Sequence, residues 1–346
     1  MDSPPKSICI LRLSAIGDVT HMIPVVRTIQ KFWPKTELTW IIGKNEANLV
    51  NDIPGIEFIE FDKSKFISSY RNIARKMKHQ KFDVLLCAQV SFRANFISAL
   101  VPATLKLGYD KARSKDFHSF FIDQCIASAS QQHVLDSFFS FIEHLGIHDR
   151  EMRWEYNIPD EAHEFAQQHS VSNRFNLIIS PCSSHSLRNW STERYAAVAD
   201  YAIQSLNAQV ILCGGPSVKE RQIGVDIEQH MQAKALNLIG KDTLKKFLAL
   251  LQRADALISP DSGPAHMATG LGIPVIGLYA ASNPKRSGPY LSQQYCVDKY
   301  DEAAHMFKNK SSSALKWGTK LEYEGAMNLI SVNDVTSQLD VLACNQ

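Results

Sequence analysis

Short apolar runs alternate along this chain with stretches whose apolar residues recur every three or four positions. Ile8 to Leu13 is strand-like, and a turn follows at Ala15-Ile16-Gly17-Asp18. Met22, Val25, Val26, Ile29 and Trp33 then recur at helical spacing, which predicts a helix with one apolar face. Pro24 is placed in the first turn of that helix, where its missing N–H costs little. Further strands are predicted at 38–42, 56–61, 84–88 and 105–107, with helices around 67–79, 93–100 and 133–145. Such alternation argues for a mostly parallel sheet covered on both faces.

Between about 150 and 175 the pattern lapses into polar sequence, then restarts with Asn176-Leu177-Ile178-Ile179-Ser180. A second series follows: helices at about 192–206, 218–231 and 244–253, and strands at 210–213, 236–239, 256–258 and 275–278. The expected fold class is therefore α/β, with two Rossmann-like domains facing across a cleft. The first spans 1–160 and the second 175–330, and a terminal helix in 331–346 is a candidate to pack back on the first domain. Residues 299–320 are polar and have no assignable pattern.

Composition narrows the class. The 346 residues are 45% hydrophobic and 21% charged, ordinary for a soluble globular protein. With 37 basic against 35 acidic residues the net charge is +2, which gives no support to a general nucleic-acid binder. The seven cysteines are scattered and never in C-x-x-C spacing, so buried cytosolic thiols are expected rather than zinc or disulfides. Neither a signal peptide nor an uncharged run of the roughly 18–20 residues that cross a bilayer is visible. A cytoplasmic protein able to touch a membrane face is expected.

The chemistry concentrates at strand ends. In Ile258-Ser259-Pro260-Asp261-Ser262-Gly263-Pro264-Ala265-His266 an apolar strand stops at a carboxylate, a hydroxyl and a glycine, and a helix starts at once. Open α/β sheets bind ligands at such ends, and the N–H groups of a starting helix attract anions. A carboxylate beside an anion site suits sugar hydroxyls, so phosphate and polyol together suggest a nucleotide sugar. His266, inside that helix, has a structural and a functional reading. Asp18 is either a helix cap or a base for an acceptor hydroxyl. Ser183, Ser184 and Arg188 either hold a diphosphate or form a polar loop anchored by Trp190. No dinucleotide fingerprint, P-loop or metal-spaced cluster is present. No cofactor or metal is expected, and positive charge for a leaving diphosphate must come from Arg188 and helix N–H groups.

Taken together, these residues resemble the lipopolysaccharide heptosyltransferases of glycosyltransferase family 9, most closely the heptosyltransferase I type. The resemblance rests on Ala15-Ile16-Gly17-Asp18-Val19-Thr20-His21-Met22-Ile23-Pro24, Gln131-Gln132-His133, Arg188-Asn189-Trp190 and Asp261-Ser262-Gly263-Pro264-Ala265-His266. It implies a GT-B fold and metal-independent, inverting transfer of L-glycero-D-manno-heptose. The donor it implies is ADP-heptose, and the acceptor is Kdo of lipid A at the inner leaflet of a Gram-negative cell. By that analogy Asp18 is the catalytic base. Ser183, Ser184 and Arg188 hold the diphosphate, Asp261 binds heptose hydroxyls, and the amides from Ser262 and Gly263 onward meet phosphate. Glu220, Lys241 and Asp242 lie near ribose and adenine. Arg188 stands where that type commonly has Lys, and Pro264 removes one donor from the helix start.

The acceptor is anionic, so cations are expected near the Asp18 side of the cleft: Arg93, Lys111 and Arg113, with Lys106 and Lys115 in the same stretch. A solvated charged loop is the alternative for each. Two rival functions remain: a family 9 transferase acting on a later core sugar, and a non-catalytic two-lobed nucleotide-sugar binder. The second would not need Asp18.

Overall fold

The apolar runs become the strands of two parallel sheets, one in each of two units, in a computed structural model that describes residues 3–344. The first unit ends at Asn157 and the second begins at Ile158. In the first, β1 (Ser7–Leu11), β2 (Glu37–Gly43), β3 (Ile56–Phe61), β4 (Phe82–Leu86), β5 (Ala103–Gly108) and β6 (Gln124–Cys125) lie in the order β3-β2-β1-β4-β5-β6. Helices α1 (Ile16–Phe32), α2 (Lys44–Val50), α3 (Phe66–Met77), α4 (Phe92–Leu100) and α5 (Val134–Leu145) connect or cover them. Cys9, Leu11, Ile41, Ile59, Leu85 and Ile97 are among the residues of one apolar core.

Helix α1 starts at Ile16, so Pro24 sits well inside it and not in its first turn, as the periodicity alone had suggested. An interior proline leaves the carbonyl four residues back without its helical donor. Here that carbonyl belongs to Thr20, and the indole N–H of the buried Trp154 donates to it at 2.9 Å. Gly17 is likewise a residue of the helix, not of the turn before it.

The second unit repeats the plan. Its strands are β7 (Asn176–Ile179), β8 (Gln209–Leu212), β9 (Leu236–Asn237), β10 (Ala256–Pro260), β11 (Val275–Tyr279) and β12 (Val297–Asp298), ordered β12-β11-β10-β7-β8-β9. Its helices are α6 (Asp160–His169), α7 (Thr192–Leu206), α8 (Val218–His230), α9 (Leu244–Leu251), α10 (Gly263–Gly270), α11 (Pro284–Ser287), α12 (Tyr300–Lys308) and α13 (Val332–Cys344). Helix α6 lies within the polar lapse. Its buried face is only Ala162 and Ala166, too slight to register as periodicity, and it packs on α9.

The terminal helix α13 belongs to the second unit: Val335, Leu339 and Leu342 enter that unit's core, and the helix lies against α7. The unassigned stretch from 299 folds as α12 and the segment after it. Tyr300, Ala303, Ala304 and Leu321 form a satellite core there, and Phe307 stacks on Tyr323 with ring centroids 4.9 Å apart.

In both sheets the strand order reverses direction at one pair, β1/β4 and β7/β10. The connections leave those two strands toward opposite faces, which opens a crevice at their carboxyl ends where such folds take ligands.

Candidate functional site

At the first unit's reversal, the loop after β1 is held from the loop after β4. The side-chain oxygen of Gln89 accepts from the N–H groups of Leu13 and Ser14, at 2.7 and 3.2 Å. The Ser14–Ala15 peptide is cis. Ala15 is the residue that caps α1, and Asp18 occupies the third helical position. Its Oδ2 accepts from the Ala15 N–H at 3.3 Å and from the Arg12 guanidinium, an ion pair. Arg12 is fixed in turn: it donates to the Ala88 carbonyl at 2.6 Å and lies over the Phe138 ring. One carboxylate oxygen is thus committed to orientation, and Oδ1 is the one an incoming hydroxyl can use.

His21, one turn beyond Asp18, meets His133 with ring centroids 5.5 Å apart. His133 caps α5 by accepting from the Leu135 N–H at 3.1 Å. Two motif pieces more than a hundred residues apart in sequence therefore share one locality.

The five expected acceptor cations have different surroundings. Arg93 lies over the Phe61 ring, and Lys106 donates to the Ser98 carbonyl at 2.7 Å. Arg113 spends its guanidinium on Asp110 at 3.0 Å, on Gln132 at 2.7 Å and on the Ala127 carbonyl at 2.5 Å, stacked over Tyr109. That braces the loop after β5 against the Gln131-Gln132-His133 segment. Lys111 and Lys115 are exposed.

At the second unit's reversal the pairing of β7 with β10 brings the Ser180–Trp190 loop beside Asp261. Ser183 turns its hydroxyl to the His185 carbonyl at 2.8 Å, and its N–H donates to Asn189 at 2.7 Å; Ser184 is exposed. Trp190 is core, its indole donating to the Ile330 carbonyl at 3.0 Å. Arg188 faces the carboxylates: its Nε and Nη2 both lie 2.6 Å from Glu322 Oε1, and its Nη1 is 3.7 Å from Asp261 Oδ2. Asp261 also accepts from Lys320 Nζ at 2.6 Å. Burial pushes the Asp261 carboxyl up, but Lys320, His266 and Arg188 outweigh it and hold the group below the ordinary carboxylate range. Ser262 caps α10, with its hydroxyl 2.7 Å from that of Ser259, and Gly263 opens the helix.

Lys320 and Glu322 went unread in the sequence. Lys320 ends the stretch with no pattern and Glu322 lies just beyond it, and only a buried Leu321 between two charges marks the place. Glu220, expected near ribose, uses both oxygens locally: one accepts from the Gly215 N–H at 2.6 Å, the other from Ser217 at 3.1 Å. Lys241 donates to the Asn237 carbonyl. Burial, with Glu220 nearby, pushes the Asp242 carboxyl up to about 7. Gly240, at φ +75°, donates to the Gly214 carbonyl and ties these two loops together. Among the described residues, no group of three His, Cys, Asp or Glu side chains has the disposition of a metal site.

Two parallel Rossmann-like units with polar clusters at both strand-order reversals define the GT-B class, and solved structures of that class match the whole chain. The glycosyl transferase family 9 protein of Veillonella parvula aligns at TM-score 0.78 and 22% identity, covering 99% of this chain and 98% of that one. The E. coli heptosyltransferase WaaC with ADP aligns at 0.73 and 15%, covering 97% and 99%. In sequence, residues 70–317 match the profile of glycosyltransferase family 9 (heptosyltransferase). The Haemophilus influenzae lipopolysaccharide core heptosyltransferase OpsX is 41% identical over 98% of this chain and 97% of its own. Lipopolysaccharide heptosyltransferase 1 of Campylobacter coli is 21% identical, covering 81% and 85%. The chain belongs to glycosyltransferase family 9, as its motifs had suggested.

Proposed function

We propose that this enzyme transfers L-glycero-D-manno-heptose from ADP-heptose to Kdo of lipid A during assembly of the lipopolysaccharide core, by a metal-independent, inverting displacement. The observation that carries the reading is the buried Asp261 set between Arg188 and Lys320 where α10 begins: cations and helix N–H groups for a diphosphate, a carboxylate for sugar hydroxyls. The name of the OpsX relative supports the pathway, and the ADP in the WaaC structure supports the nucleotide.

In this mechanism the acceptor hydroxyl attacks the anomeric carbon as the bond to the diphosphate oxygen breaks. Asp18 Oδ1 takes the hydroxyl proton, and ADP leaves with its new charge on Arg188 and the α10 amides. A single displacement inverts the anomeric carbon. No step requires a cofactor, so activity should survive EDTA. Relatives named heptosyltransferase 1 and heptosyltransferase 3 are equally distant, at 21% identity. That keeps a later core sugar as the rival acceptor.

The acceptor is a lipid, and the reading makes the enzyme a cytoplasmic protein peripheral to the inner membrane. Among the described residues no helix is long and apolar enough to cross a membrane. Phe92, Phe96, Phe117 and Phe120 are all exposed on the first unit, near the exposed Lys115, a composition suited to an anionic bilayer surface. The deciding experiment incubates the purified enzyme and ADP-heptose with Kdo–lipid A or with a heptosylated core, and weighs the products. Gain of one heptose on Kdo–lipid A supports the reading, and gain only on the longer core replaces it with the rival.

A further inference from the structure

The segment 317–322 is laid against the second unit by contacts that need its particular backbone. Leu321 donates its N–H to the Ala281 carbonyl at 2.8 Å, just past β11, and the Tyr300 hydroxyl donates to the Thr319 carbonyl at 2.9 Å. Gly318 has φ +87°, and a Cβ there would come within 2.9 Å of Arg286 Nε. The positive φ is what calls for glycine, and a Cβ would also oblige the Arg286 side chain to shift. The strap so fixed delivers two charges, Lys320 onto Asp261 and Glu322 onto Arg188.

We propose that this strap is part of the donor site: Lys320 is a second cation for the donor diphosphate, and Glu322 holds the place on Arg188 that a donor phosphate takes. The proposal rests on the ADP-heptose reading above.

Three observations carry it. First, Arg188 aims two N–H groups, Nε and Nη2, at one carboxylate oxygen, each at 2.6 Å, and the same fork binds phosphate oxygens. Second, Glu322 offsets part of the local positive charge: Arg188, Lys320 and the nearby Arg286 stand against Asp261 and Glu322, and a diphosphate that displaces Glu322 meets one more unit of net positive charge than one added beside it. His185, exposed and with Nε2 already 3.7 Å from Glu322 Oε2, is a partner the displaced carboxylate can keep. Third, Lys320 is half-buried, and partial desolvation lowers its pKa even with Asp261 opposing. A half-buried ammonium next to two further cations, Arg188 and Arg286, is costly for stability alone and typical of a site that binds anions.

Calorimetry on the full chain with ADP, inorganic pyrophosphate and adenosine tests this. Glu322→Gln keeps the shape but removes the competing charge, and should tighten ADP and pyrophosphate by about threefold or more while adenosine is unmoved. Lys320→Met should weaken both anions by about tenfold, with Lys320→Arg recovering most of the loss. A residue that only braced the fold would not produce a gain of affinity in Glu322→Gln, nor an effect confined to anions. If wild type binds ADP but Glu322→Gln binds it equally or more weakly, Glu322 is not a stand-in. If a folded Lys320→Met keeps wild-type ADP affinity, Lys320 merely neutralises Asp261. Wild type that binds no ADP would instead remove the donor reading itself, and the strap proposal with it.

Discussion

The two units share a strand order but place opposite chemistries at its reversal. After β1 stands one carboxylate, Asp18, held by one guanidinium and one backbone N–H. At the β7/β10 reversal two cations, Arg188 and the strap's Lys320, face two carboxylates, Asp261 and the strap's Glu322. The topology explains why each cluster sits where it does, and says nothing about its charge. One reversal suits taking a proton from a hydroxyl, the other holding an anion, and side chains alone make the difference.

That contrast can be broken most sharply at Asp18. Asp18→Asn keeps the bond to the Ala15 N–H but cannot take a proton, so kcat should fall by about 10²–10⁴ with ADP affinity intact. Near-normal turnover would leave Asp18 as a brace for the helix start. The complementary change is Arg188→Ala, which should weaken ADP binding by about one to two orders of magnitude, with Lys restoring part of it. Titration with ADP alone separates the two, because only the second-unit change should register there.

Smaller effects test how each cluster is held. Gly318→Ala forces a side chain into positive φ against Arg286 and should lower stability by about 1–2 kcal/mol, along with ADP affinity. Trp154→Phe and Trp190→Phe each delete an indole N–H from a main-chain carbonyl, of Thr20 and of Ile330. Trp154→Phe should cost about 1–3 kcal/mol in denaturant titrations, because a buried carbonyl that loses its donor is expensive. Trp190→Phe should cost less through this hydrogen bond, because Arg194 also donates to the Ile330 carbonyl, at 2.5 Å.

The mildest prediction concerns pH. The Asp242 carboxyl is raised to about 7 in the folded chain, well above its unfolded value. Between the two values the folded state holds the proton and the unfolded state does not, so this group makes stability fall as pH rises from about 4 to about 7. Asp242→Asn should remove that slope and leave stability flatter across the window. An unchanged pH profile of the melting temperature would show that Asp242 ionises normally.

The strand–helix alternation was readable because parallel strands buried on both faces are continuous apolar runs, as in Leu177-Ile178-Ile179. Helix α6 was not, because two alanines are its whole buried face. The position of Pro24 was misread because its compensation, the Trp154 indole, comes from 130 residues further on. Among the acceptor candidates the sequence showed position but not partners: Arg93 follows β4, Lys106 lies within β5 and Arg113 follows it, and each is engaged by a different group.

By itself the sequence determined the α/β class, the doubling, and the family, because these depend on local periodicity and on motifs a few residues long. It also determined the candidates Asp18, Arg188 and Asp261, since strand ends and helix starts are local features. Only the tertiary structure decided what each of them touches. Arg12 reaches Asp18 within six residues, but Lys320 and Glu322 reach Asp261 and Arg188 across 59 and 134 residues. Charge pairing depends on distance in space, and no periodicity in a chain records which distant segment the fold will lay beside a strand end.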